Sequence, residues 1–513
     1  MDRDNGQLEP ERNAEGDRQT RGLIRNTLSL IGAALAAVSF ANIIFLFLID
    51  AISGRPSPYI GIFAYMIMPG FLILGLLLVP VGMLLERNRR RKRMAQDLAP
   101  FPRIDLNSPQ QRNAVAFFLS FVVVFVLLSA VGSYRAYEFT DSVQFCGQLC
   151  HSVMNPEFVA YSQSPHARVA CVDCHVGAGA TWYVRSKLSG ARQVYATMFN
   201  KFPRPIPTPV ENLRPAQETC EECHWPRKFH GDQFKVITHF GTDEKNTPRQ
   251  IRLLIKTGGG DPGTGMARGI HWHMNIGNEI TYAETDPKRQ DIPWVQLKNL
   301  DTSETTIYQA KDTTVTPEQI QKATKRRMDC IDCHNRPTHI YVPPDRSVDA
   351  SLLAHRLDPK MPYIKAQAVA ALSGDYKTTK DAMEGIANSL AGFYNSKYPD
   401  LFKTDKRGLE DAIHEVQRIY SISIFPELKV DWRAHPDNIG HFYFNGCFRC
   451  HDGQHVSKDG KIISNDCNVC HTILDQEKGS ATTSIAGVSF KHPGGELPEG
   501  VKCMDCHSGG VGP

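Results

Sequence analysis

All fourteen cysteines of this 513-residue chain fall into one recurring pattern. Its plain form is Cys171-Val172-Asp173-Cys174-His175: two cysteines, two residues between them, and a histidine directly after the second. The pattern returns at Cys220, Cys223 and His224; Cys330, Cys333 and His334; Cys447, Cys450 and His451; Cys467, Cys470 and His471; and Cys503, Cys506 and His507. One further copy, Cys146, Cys150 and His151, holds an extra residue between its cysteines. Two thiols at this spacing can add to the two vinyl groups of one haem, and the adjacent imidazole then lies beneath the iron as its proximal ligand. A disulfide framework has no need of a histidine after every pair. Zinc sites and iron–sulfur clusters gather thiolates from several loops and make no use of that fixed histidine. The spacing therefore predicts seven covalently bound haem c groups, with a local bulge at the widened site.

A haem that only relays electrons keeps both axial positions filled, usually by histidine or methionine. Nineteen histidines are present, and the seven motifs use one each. Among the others, His166, His339, His455 and His492 flank motifs or proline- and glycine-containing loops. Together with His239, His273 and His441 they are the expected distal ligands. His271 and His273 are expected to supply one ligand between them. His355 and His414, in helical sequence without cysteine, read as packing residues. Met154 closely follows the first motif, and a thioether ligand there would raise the potential of that haem.

Haem is attached outside the cytoplasmic membrane, so the motifs must be exported. Three apolar runs supply the route: residues 27–49, 59–85 and 114–134, each long enough to cross about 30 Å of hydrocarbon. Pro69 and Pro80 predict a kink in the second. A basic run at 87–93 follows it, and the N-terminal tail is also rich in arginine. The positive-inside rule puts both in the cytoplasm, so three crossings deliver residue 135 onward to the periplasm. The expected fold class is a multihaem cytochrome c: mainly α and irregular, with a haem-built core, three N-terminal transmembrane helices and a small strand-rich insertion.

The expected domains follow the motifs. Residues 1–134 are the membrane anchor, 135–239 hold the first three haems, and 240–315 form the strand-rich insertion. Residues 316–344 carry the fourth haem, 345–430 form a helical linker, and 431–513 form a trihaem segment. Asn155-Pro156-Glu157 reads as a helix start, 182–199 as an amphipathic helix, and Thr316-Pro317-Glu318 as a second helix start. Residues 1–112 contain 14 Lys/Arg and 10 Asp/Glu, a balance of +4 that equals the formal charge of the whole chain. The remainder is neutral, which excludes the basic surface that nucleic acid demands.

At Phe145–Gly177 the motifs, with Ser164-Pro165-His166 between them, resemble the NapC/NirT family. That family consists of membrane-anchored multihaem quinol dehydrogenases, and the seven-motif layout looks like the heptahaem inner-membrane cytochromes of metal-reducing bacteria. The resemblance implies Met154 as ligand of the first haem, His166 as distal ligand of the fourth, and Lys187 at the quinol pocket. The acidic residue expected beyond that lysine is replaced near Gln193 and Val194, which leaves Asp141, Glu138 or a water to take protons. The implied activity is oxidation of a membrane quinol, of the menaquinol type. Electrons would pass to periplasmic c-type cytochromes or a terminal reductase. Two other classes remain open at this point: a terminal reductase for a nitrite-like oxyanion, and a haem-bearing docking subunit.

Overall fold

Residues 27–49 carry no charge, and the chain winds them into α1 (Thr27–Ser53). The computed structural model describes residues 26–53, 68–93, 105–149, 151–176, 180–210, 214–224, 231–258, 269–476, 487–493, 495–496, 498 and 501–511. The chain divides into two units, Met1–Leu149 and Cys150–Pro513.

In the first unit α2 (Met68–Arg93) takes up most of the second apolar run; residues 59–67 lie outside the described part. Pro80 sits inside α2, where it removes one backbone hydrogen bond. The basic run continues this helix rather than ending it, as the high helix propensity of arginine and lysine allows. α1 and α2 approach closely through small residues. A Cβ added to Gly75 would meet the Ala36 nitrogen at 2.6 Å, and one on Gly32 the Gly75 carbonyl at 2.8 Å. Ser29 Oγ donates to the Val79 carbonyl at 2.9 Å across the same seam. Such seams suit helices in lipid, where water supplies no hydrophobic drive and close backbone approach must hold the pair. Stretches Thr27–Phe45 and Met68–Arg89 are long and apolar enough to cross a membrane. The third run lies within one continuous helix, α3 (Pro109–Thr140), whose Phe121 meets Phe40 edge to face at 5.2 Å.

The second unit opens on α4 (His151–Ser162). The expected start at Asn155 is overridden: the helix begins one turn earlier and carries Pro156 inside, at the loss of one hydrogen bond. α5 (Ala180–Met198) follows as expected.

Eight strands come next: β1 (Gln233–Phe240), β2 (Pro248–Ile255), β3 (Asn278–Glu284), β4 (Trp294–Asn299), β5 (Thr305–Ala310), β6 (Thr324–Arg327), β7 (His455–Ser457) and β8 (His471–Asp475). They form two antiparallel sheets, ordered β1-β2-β8 and β6-β3-β4-β5-β7. The strand-rich region is thus present, but it is not a closed insertion. The C-terminal segment contributes β7 and β8, and β8 begins on the motif residue His471. Between β5 and β6, Thr316 caps the short helix Pro317–Lys322, accepting from the Gln319 amide, as its sequence foretold.

The largest apolar core lies in 344–430, the stretch expected to be a linker. There α6 (Pro344–Leu353), α7 (Ile364–Leu372), α8 (Thr379–Lys397) and α9 (Lys406–Ser423) pack together. α9 buries Leu409, Ala412, Val416, Ile419 and Tyr420, a helical stripe of the usual spacing. Val348, Leu352, Ile386, Leu390 and Tyr394 are fully buried opposite it. Each such side chain is worth roughly 1.5–3 kcal/mol. This block therefore has a hydrophobic core of its own, without porphyrin.

Candidate haem sites

Each regular motif is a single tight turn. The amide of His224 bonds the Cys220 carbonyl at 2.7 Å, His334 that of Cys330 at 2.8 Å, His451 that of Cys447 at 3.0 Å and His507 that of Cys503 at 2.8 Å. Cys171–His175 and Cys467–Cys470 are likewise short helical turns. One turn brings two cysteines three positions apart to the same side, as two adjacent vinyl groups require. Three motifs carry aspartate between the cysteines, and it caps the turn. Asp173 accepts from the Ala170 amide at 3.1 Å, Asp332 from Asp329 at 2.7 Å and Asp505 from Lys502 at 2.9 Å. The widened motif has its own device: Cys146 sits in a π-helical turn, Phe145–Leu149, whose looser winding takes up an extra residue.

Among the described residues, every histidine of the six regular motifs faces one further histidine ring at a nearly constant separation. Ring centres lie 6.3 Å apart for His175 and His339, 5.9 Å for His224 and His166, and 6.3 Å for His334 and His271. They lie 5.8 Å apart for His451 and His273, 6.2 Å for His471 and His441, and 6.2 Å for His507 and His492. Two imidazoles that share a metal at roughly 2 Å per bond, with about 1 Å more from each nitrogen to its ring centre, stand roughly 6 Å apart. The residues therefore fit iron held from both faces.

Second partners fix the rings. Nδ1 of His166 lies 3.3 Å from the Pro337 carbonyl, and that of His273 lies 2.7 Å from Ile270. His339 Nδ1 lies 3.0 Å from the Glu157 carbonyl, and His451 Nδ1 lies 2.8 Å from that of Ser464. A carbonyl only accepts, so Nδ1 carries the proton and Nε2 keeps the lone pair for a metal. Burial pushes His175, His273, His334, His339, His441, His471 and His507 below the ordinary imidazole range, which also favours the neutral, ligating form.

Among the described residues, from the second motif to the seventh, motifs that are neighbours in sequence are neighbours in space. Burial raises the pKa of the Cys174 thiol and nearby Cys220 adds to it, while Cys330 beside Cys220 lowers that of Cys220. Cys333 feels Cys447, Cys470 feels Cys447, and Cys503 feels Cys467. His441, whose ring faces His471 of the sixth motif, has Nδ1 3.9 Å from Cys503 Sγ of the seventh.

Residues 108–206 match the NapC/NirT cytochrome c family, N-terminal region. Over 505 residues the chain is 46% identical to the cytochrome c-type protein ImcH of Geobacter sulfurreducens, covering 97% of this chain and 99% of that protein. The chain belongs to the NapC/NirT cytochrome c family. No solved structure matches it. It is accordingly a membrane-anchored, multihaem c-type cytochrome of electron transport.

In this NapC/NirT cytochrome several expected ligands stand elsewhere. His166 faces His224 of the third motif, not the fourth. His271 and His273 each meet a different motif, where one ligand between them was expected. Among the described residues His239 has no ring contact with a motif histidine: its Nδ1 is 2.9 Å from Asp349, and its ring stacks on Phe442. His455 is buried with both nitrogens engaged, Nδ1 at 2.9 Å from Asp452 and Nε2 at 2.7 Å from the Ile292 carbonyl. Burial alone would lower its pKa, but the Asp452 carboxylate and that carbonyl raise it, and with both nitrogens facing acceptors the ring is held as a structural residue. Flanking position in the sequence could not reveal those partners.

Met154 is half-buried on α4, and the side chains of His151 and Lys187 lie outside the described residues, as does Cys150. Lys187 and Gln193 are six residues apart on α5, about 240° around the helix, so they occupy different faces. Gln193 instead donates to Ser189 at 3.3 Å. Asp141 follows α3, and Glu138 pairs with Arg135 at 3.1 Å.

Proposed function

We propose that this NapC/NirT cytochrome is a quinol dehydrogenase of the bacterial inner membrane. It oxidises a membrane quinol of the menaquinol type and relays the electrons along seven haems to periplasmic c-type cytochromes or a terminal reductase. One observation carries the reading: six motif histidines each have a second ring at ligating distance. Irons held by both rings of each pair would leave no room for an oxyanion, which disfavours a terminal reductase. The remaining motif, at Cys146, follows α3 directly, where a lipid-soluble substrate would be met.

Three crossings, α1 to α3, place the N-terminus in the cytoplasm and the motifs in the periplasm. Haem, once attached, supplies one-electron redox chemistry at each motif. The chain does the rest. His151 of the first motif and Met154, half-buried on α4, are the residues that would hold the first haem's iron. Lys187 orients a quinol oxygen. Asp141 takes protons as they leave the quinol hydroxyls. Gln193, on another face of α5, has no part in that pocket.

The experiment uses anoxic proteoliposomes that contain this protein alone, with a reduced menaquinone analogue. Reduction of the haem absorbance band by quinol, lost in Lys187→Ala, is expected. No reduction by quinol, with full reduction by dithionite, would contradict the proposal.

A further inference from the structure

α5 is amphipathic, and its apolar arc stands exposed among the described residues. Leu188, Val194, Tyr195, Met198 and Phe199 fall on one arc of about 140° around the helix axis. Four of them are among the most exposed apolar residues of the second unit: Leu188 70%, Tyr195 50%, Met198 76% and Phe199 58%. Ser189, Gln193 and Thr197 lie opposite and bond to one another along the helix, Gln193 to Ser189 at 3.3 Å and Thr197 Oγ1 to the Gln193 carbonyl at 2.8 Å. Exposed apolar surface of this extent marks an interaction face.

Charge says which partner fits. From His175 to Val210 there are five basic residues, Arg185, Lys187, Arg192, Lys201 and Arg204, and no Asp or Glu. The cations beyond the helix sit against its aromatic rings. Lys201 Nζ is 3.0 Å from the Tyr195 hydroxyl and 5.2 and 5.9 Å from the Tyr195 and Phe199 ring centres. The Arg204 guanidinium is 4.5 Å from the Phe202 ring. Aromatic rings with lysine and arginine beside a half-apolar helix are the chemistry of the membrane–water boundary. A second copy on this face would bring two uncompensated positive surfaces together, which opposes self-association.

We infer that α5 and the segment leaving it, through Arg204, dock on an anionic phospholipid surface. The apolar arc is set at the headgroup–acyl boundary, and Arg192, Lys201 and Arg204 meet the phosphates. The inference rests on membrane anchoring and not on quinol as substrate.

The test uses the full-length protein in nanodiscs of phosphatidylcholine, with and without phosphatidylglycerol. A phospholipid carries a photoactivated carbene precursor near its headgroup, and adducts are mapped by peptide mass spectrometry. Adducts are expected on Tyr195, Met198 and Phe199, as on α1, and not on Ser189 or Thr197. Their yield on α5 should fall at least about threefold without the anionic lipid or in the triple variant Arg192→Gln, Lys201→Gln, Arg204→Gln. Labelling of α1 with none on α5, equal labelling of both faces of α5, or a yield indifferent to anionic lipid would each overturn the inference. Quinol-driven haem reduction, measured on the same nanodiscs, fails or survives independently of that outcome.

Discussion

His271 and His273 stand two residues apart on one 3-10 turn, Ile270–Met274, yet their rings address different motifs. His271 faces His334 with the two ring planes 3° apart, and His273 faces His451 with the planes 83° apart. A turn of three residues rotates each position by about 120°, so positions i and i+2 diverge. One short element thus ties the fourth and fifth sites together.

The two angles separate the sites spectroscopically. Near-parallel imidazoles give a rhombic low-spin ferric signal, and near-perpendicular ones give a large-g axial signal. His271→Ala should remove one rhombic signal, and His273→Ala one large-g signal, each replaced by high-spin iron. Electron paramagnetic resonance of both variants checks this; loss of the same signal in both would return the pair to a single ligand.

His455 provides the contrast. Its buried ring is spoken for by Asp452 and Ile292. His455→Ala should leave every low-spin signal in place and lower stability by about 1–3 kcal/mol. A new high-spin signal in that variant would make His455 a ligand.

Asp332 holds the fourth motif from the side. It is 2% exposed and accepts from Tyr282 at 2.8 Å, Arg326 at 2.8 Å, Arg289 at 3.3 Å and the Asp329 amide at 2.7 Å. Its removal leaves half-buried Arg326 and the Tyr282 hydroxyl without this acceptor, so Asp332→Ala should cost about 1–3 kcal/mol. Part of the purified chain should also lack one haem, as read by intact mass. Full loading with unchanged melting would remove Asp332 from this role.

Acid sensitivity should trace to the helical block. Burial raises the pKa of Glu415, but hydrogen bonds from Arg418, Ser351 and Arg356 outweigh it and hold the carboxyl at about 2. A carboxyl depressed on folding stabilises above its unfolded value and loses that contribution as pH falls through the folded one. Melting temperature should therefore drop between about pH 4.5 and 2. Glu415→Gln should be less stable at neutral pH and show a shallower acid slope in far-ultraviolet circular dichroism. Parallel acid curves for the two proteins would contradict this.

The cysteine–histidine motifs were legible in the sequence because their spacing is local, and α1, α5 and the Thr316 cap were legible because local pattern decides them. Most of the expected partner histidines do face motif histidines, but their pairing was not legible: which imidazole reaches which motif depends on long-range packing, as His166 and His239 illustrate. The helical block was read as linker because it lacks cysteine, although Leu409, Ala412, Val416 and Ile419 already spell a buried stripe. The role of β7 and β8 was hidden because pairing across roughly 150 residues for β7 and roughly 220 for β8 leaves no local mark.

The central claim is that seven attached haems include six with histidine on both faces. Low-temperature magnetic circular dichroism in the near infrared, on protein whose haem content is counted by intact mass, tests it most directly. Seven haems, with six bis-histidine irons and one of another ligation, is the expected result. A smaller haem count, or a majority of histidine–methionine or high-spin irons, would contradict it.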